Sequence, residues 1–167
     1  LDLARRHPRK VARLALIGAT PRFVAAPDWP HGLAVETVRG FRDGFASDAA
    51  ATLRRFVALQ TLGDARRKAV ALRLSEALPA VGEENATNLA EGLRLLAETD
   101  LRDRLTLSQP VRLLHGEGDA LMPASAATWL ADQLPNARLS LLTDCGHAPF
   151  LSRPADCAAL LASFADD

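Results

Sequence analysis

The sequence predicts an α/β fold in which a parallel sheet is interrupted by an all-helical insertion. Three observations carry this. Apolar runs of strand length stand at Val11 to Ala19, Val111 to Gly116 and Ala137 to Thr143. From Pro110 onward, strand and helix patterns alternate, the order that gives parallel pairing with right-handed crossovers. Between Leu33 and Thr99 the apolar residues recur with helical spacing only.

The chain opens on "LDLARRHP", which reads as the last turns of a helix, with basic residues near its end and Pro8 closing it. "VARLALIGA" follows as a buried strand. Three prolines and a glycine in "TPRFVAAPDWPHG" then place a connection over residues 20 to 32. In the helical block, Val35, Val38, Phe41 and Phe45 form one stripe, and Leu53, Phe56, Val57 and Gln60 another. Gly63, the "LPAVG" stretch around Pro79, and Asp100 divide the block into about four helices. Beyond Pro110 come the strand "VRLLHG", a helix from Ala124 to Leu134, the strand "ARLSLLT", the turn "DCGHAPF" and a last helix from Pro154. The expected division is residues 1–24 and 106–167 for the sheet-bearing core and 25–105 for the insertion.

Bulk properties remove several function classes. At 167 residues with 49% hydrophobic content, the chain falls in the range of one ordinary domain. Twenty basic side chains balance twenty acidic ones, so no global field favours nucleic acid or an anionic membrane. No apolar run has membrane-span length, and the first residues lack the apolar core of a signal peptide, so the expected location is the cytoplasm. Cys145 and Cys157 have neither CxxC spacing nor disulfide density, which fits a reducing compartment.

Two turns stand out chemically. Asp119 lies in "HGEGDALMP" after the second strand, and His147 lies in "DCGHAPF" after the third. In open α/β sheets, ligands bind beyond the carboxyl ends of strands, where both residues fall. Gly116, Gly118 and Gly146 are read as permitting unusual backbone angles there. A carboxylate accepting from imidazole Nδ1 fixes the tautomer and leaves Nε2 as a general base. Such a couple requires a nucleophile. An Asp in a glycine-rich turn is also an ordinary turn or cap residue, and the partner His decides between the two readings.

Other candidates carry less. Cys145 precedes His147 by two residues, but successive turn residues rarely aim at each other, and a reactive thiol needs an activating environment. His115, Asp119, Cys145 and His147 lack recognised zinc-ligand spacing. His115, inside an apolar strand, reads as a hydrogen-bonded core histidine, whereas His7 and His31 read as surface or loop residues.

The tags "GEGDALMP" and "GHAPFLSRP", in the order acid then histidine, resemble the C-terminal part of the α/β-hydrolase fold. "DWPHG", "RRFVALQTLG" and "GHAPFLSRPADC" narrow the resemblance to the pimeloyl-[acyl-carrier protein] methyl ester esterases of biotin synthesis, over essentially the whole chain. The resemblance implies a serine carboxylesterase without cofactor or metal, in which Asp119 and His147 are the acid and base of a Ser-His-Asp triad. It implies that the insertion is a lid, that Phe41 and Phe56 line an acyl channel, and that Arg55 faces acyl carrier protein. Arg66 and Arg67 follow in a segment shorter than the family's, and Ala51 stands where the family has another arginine.

The patch has its own arithmetic. Residues 49–80 carry six basic side chains against two acidic ones, a net of +4, and residues 81–100 carry five acidic against one basic, a net of −4. Docking of an acidic carrier and a solvated charged face both fit this pattern. Phe41 and Phe56 likewise fit either channel lining or helix packing.

The resemblance also implies a nucleophile in a G-x-S-x-G elbow, whose sharp strand-to-helix turn exposes the serine. None of the seven serines stands in that motif. The elbow is expected immediately before Leu1, which makes this chain the C-terminal part of a longer esterase.

Overall fold

The computed structural model describes residues 1–78 and 83–166, with the side chains of residues 83–86 outside that description. Most of the "LPAVG" divider therefore lies outside the described residues. Three strands, β1 (Leu14–Ile17), β2 (Val111–Gly116) and β3 (Ala137–Leu142), form one sheet in the order β1-β2-β3, and both pairings are parallel. The register sets Leu14 against Val111 and Val111 against Ala137. The strand expected from Val11 is shorter because Pro110, just before β2, has no N–H to extend the ladder, and only its carbonyl is used, by Leu14 N–H at 3.0 Å.

Helix α1 (Asp2–Arg6) precedes β1. Between β1 and β2 lie α2 (Val35–Ser47), α3 (Ala49–Gln60), α4 (Arg67–Ala77) and α5 (Glu83–Glu98). The break between α2 and α3 has a local cause that the sequence reading missed. Asp48 caps α3, its carboxylate accepting Ala51 N–H at 2.9 Å. Helix α6 (Ala124–Gln133) connects β2 to β3, and α8 (Pro154–Asp166) ends the chain. Part of the expected turn "DCGHAPF" is helical instead, as α7 (Pro149–Ser152), because Pro149 occupies a first-turn position where no N–H is needed.

Two apolar cores organise these elements. One joins Val111 and Leu113 of β2 to Leu130 of α6 and Leu134 just after it, with Ala4 of α1. The other joins Val38, Phe41 and Phe45 of α2 to Leu53 of α3 and Leu93 of α5. Val35, placed on the same stripe by spacing, is 42% exposed, since it lies at the first turn of α2 beyond the packed face. The second core also contains Leu121 and Met122, from the turn after β2. The helical block is thereby packed onto one of the two turns that the sequence singled out. Among the described residues, no helix is long and apolar enough to cross a membrane.

Candidate functional site

Asp119 and His147 meet. The imidazole Nδ1 lies 2.7 Å from Asp119 Oδ2, and because a carboxylate only accepts, the ring proton sits on Nδ1. The other carboxylate oxygen, Oδ1, accepts backbone N–H groups from Leu121 at 2.9 Å and Met122 at 2.8 Å. The Asp119 side chain is fully buried and that of His147 is 22% exposed. This arrangement holds a fixed acid beneath a ring with one open edge. Among the described residues, Nε2 of His147 has no hydrogen-bond partner, so the basic nitrogen is free to act on a group brought from outside.

Parallel strands produce this meeting. Adjacent parallel strands end on the same side of a sheet, so the turns after β2 and β3 lie side by side. Gly116 permits that approach by lacking a side chain, and Gly118 and Gly146 likewise admit the turn after α3, rather than by adopting unusual angles as the sequence reading held. Gly116, Gly118 and Gly146 all lie outside the left-handed region. A Cβ on Gly116 would fall 2.0 Å from the Gly146 carbonyl oxygen, closer than any side chain can stand.

His115 behaves as its position in an apolar strand suggests: it is 1% exposed, and its Nε2–H donates to the Met122 carbonyl at 2.8 Å. It also does something the sequence did not signal. The same nitrogen lies 3.3 Å from Asp119 Oδ2, the oxygen that receives His147. The four-residue spacing of His115 and Asp119 crosses from strand into turn, where neither helical nor strand periodicity indicates a contact.

The Cys145 thiol faces Ser152, with Sγ 3.1 Å from Oγ. Burial pushes that thiol above its ordinary range, the opposite of nucleophile activation. No cluster of three or more potential metal ligands occurs among the described residues.

The insertion residues separate into three environments. Phe41 is buried in the helical core and meets Phe56 edge to face, with ring centroids 5.5 Å apart. The Arg55 guanidinium lies 5.9 Å from the centre of the Phe41 ring. Arg66 donates to the Ser152 carbonyl at 2.6 Å, which turns it toward α7, whereas Arg67 is exposed at the start of α4.

Residues 1–154 match the alpha/beta hydrolase fold family. The chain belongs to this family. Among its relatives, this α/β hydrolase is 60% identical to the pimeloyl-[acyl-carrier protein] methyl ester esterase of Aromatoleum aromaticum, over 96% of this chain and 67% of that protein. It is 41% identical to the protein of the same name from Nitrosomonas europaea, over 92% of this chain and 62% of that protein. The chain thus spans about two thirds of the length of these curated relatives. An esterase from Exiguobacterium antarcticum superposes with a TM-score of 0.84 over 99% of this chain and 63% of that one, at 19% identity, a likeness of fold.

Proposed function

We propose that this α/β hydrolase is the part of a serine carboxylesterase that carries the acid and base, and that the whole enzyme removes the methyl ester of pimeloyl-[acyl-carrier protein] in biotin synthesis. The observation that carries the esterase chemistry is the Asp119–His147 hydrogen bond at 2.7 Å, with Nε2 of the ring left open. The 60% identity to a protein named for that reaction supports the substrate.

In this reading, Nε2 of His147 takes the proton of a serine hydroxyl as its oxygen attacks the ester carbonyl, and Asp119 stabilises the resulting imidazolium. His147 then gives the proton to the departing methoxide, which leaves as methanol. Water, deprotonated by the same nitrogen, attacks the acyl-serine and releases the free carboxylate and the serine. The serine comes from polypeptide outside these 167 residues, since no G-x-S-x-G occurs within them.

Residues 25–105 form the lid in this proposal, and Phe41 and Phe56 border the acyl channel. Arg55 and Arg67, both exposed, meet the acidic carrier, while Arg66 serves mainly the contact with Ser152. The test joins the chain to the upstream segment of its gene and compares methyl pimeloyl carrier with free short-chain methyl esters. Preference for the carrier-bound ester, weakened by salt and by Arg67→Ala, is expected. Equal rates on free esters would favour a broad esterase. Salt-sensitive carrier binding without hydrolysis would favour a binding module.

A further inference from the structure

We infer that Asp64, in the turn between α3 and α4, is a positioning residue: it holds the backbone that carries His147, so that the approach of the imidazole to Asp119 depends on the helical insertion. The inference rests on the reading of Asp119 and His147 as an acid and base couple.

Asp64 is 8% exposed, and both of its oxygens are used by backbone donors. Oδ2 accepts Gly146 N–H at 3.0 Å, one residue before His147, and Oδ1 accepts Arg66 N–H at 2.7 Å. A buried carboxylate oriented by one amide of its own turn and spent on one amide of a distant turn is a charge-assisted tether, stronger than a neutral hydrogen bond. Three further bonds join the same two segments. His147 N–H donates to the Gln60 carbonyl at 3.1 Å, Ala65 N–H to the Asp144 carbonyl at 3.0 Å, and Arg66 to the Ser152 carbonyl at 2.6 Å. Asp144 itself has φ of 55°, a left-handed turn conformation that aspartate tolerates.

The opposite side of the turn touches the acid's loop. Gly63 has φ of 77°, and a Cβ there would fall 1.9 Å from the Gly118 carbonyl oxygen; one on Gly118 would fall 2.5 Å from that of Gly63. The α3–α4 turn therefore touches both the turn that carries Asp119 and the turn that carries His147, which also meet each other directly through Gly118 N–H and the Cys145 carbonyl at 2.9 Å. Among the described residues, the side chains that tether this turn to the His147 segment are the Asp64 carboxylate, as acceptor, and Arg66, as donor.

The experiment uses the 15N-labelled 167-residue chain with Asp64→Ala, Asp64→Asn and the control Leu53→Ala, which loosens the helical core away from the turn. Two signals are followed: hydrogen exchange of the Gly146 amide, and the downfield Nδ1–H proton resonance of His147. In Asp64→Ala, Gly146 exchange is expected to rise about tenfold or more, with the Nδ1–H resonance shifted and broadened. Asp64→Asn, which keeps one acceptor oxygen of the same shape, is expected to show smaller changes of both signals and stands in if the alanine variant does not fold. Leu53→Ala should lower the melting temperature and leave both signals in place. The proposal is overturned if both Asp64 variants melt earlier with the Nδ1–H resonance unmoved, or if Leu53→Ala moves it equally. Absence of the resonance in the unsubstituted chain overturns the couple itself, and the inference with it; its presence without response to Asp64 overturns the inference alone.

Discussion

Gly18 lies against the ring of His147: a Cβ built on it would stand 3.0 Å from Cε1 and 3.2 Å from Nδ1. The residue directly follows β1 with φ of 57°, a conformation that costs a side-chain-bearing residue roughly 1–2 kcal/mol. Gly18→Ala therefore combines backbone strain with pressure on the imidazole. We expect a lower urea midpoint and a displaced Nδ1–H resonance of His147. An unchanged resonance at full stability would mean that the loop after β1 does not confine the ring.

Asp119 serves two hydrogen-bonding duties, and two substitutions separate them. Asp119→Asn can keep the acceptor facing Leu121 N–H and Met122 N–H but presents an amide N–H₂ to His147, which favours the wrong imidazole tautomer. If the proposed esterase reading holds, activity of the chain joined to the upstream segment of its gene should fall by about 10⁴ in kcat with little loss of stability. Asp119→Ala also strands two buried donors and should cost roughly 1–3 kcal/mol per unsatisfied group in unfolding experiments. Full activity in either variant would remove the acid from its assigned role.

His115 Nε2–H bonds the Met122 carbonyl at 2.8 Å, and the same nitrogen lies 3.3 Å from the Asp119 carboxylate. His115→Phe fills similar space without a donor, leaving the Met122 carbonyl buried and unpaired. A stability loss of about 1–3 kcal/mol is expected by urea titration. Because the shorter contact is to the carbonyl, the effect on stability should exceed the effect on turnover. The reverse order would show that His115 acts chiefly on the carboxylate.

Acid stability should depend on Asp100. The hydrogen bond from Arg102 holds its carboxyl down from the ordinary 3.8 to about 2, with Arg22 adding attraction at 2.8 Å. A carboxyl lowered in the folded state contributes stability that is present above its unfolded value and lost as pH falls through its folded one. Urea midpoints should accordingly drop between about pH 4 and about pH 2. Asp100→Asn should flatten part of that drop. Since the side chain is 36% exposed, salt should weaken the contribution. A midpoint curve of identical shape in the variant would place the acid sensitivity elsewhere.

Much of the architecture was legible because it is written in short-range periodicity. Strand-length apolar runs, proline punctuation and helical stripes mark the order of elements, and the α/β-hydrolase tags point to Asp119 and His147 as partners. The break at Asp48 and the short helix at Pro149 escaped because each rests on a local hydrogen bond or a single first-turn residue, which periodicity averages away.

What the sequence determined by itself is the parallel order of the strands and the placement of an acid and a histidine after two of them, since apolar patterning and chain alternation constrain both. Only the tertiary structure decided that a second imidazole lies beside the acid, that the glycines serve close approach, and that Asp64 reaches from the helical insertion to Gly146. These are contacts between segments up to 82 residues apart, whose side chains follow no shared repeat. Hydrogen bonds of that kind depend on where whole elements pack, a property of the folded core that no local stretch of sequence encodes.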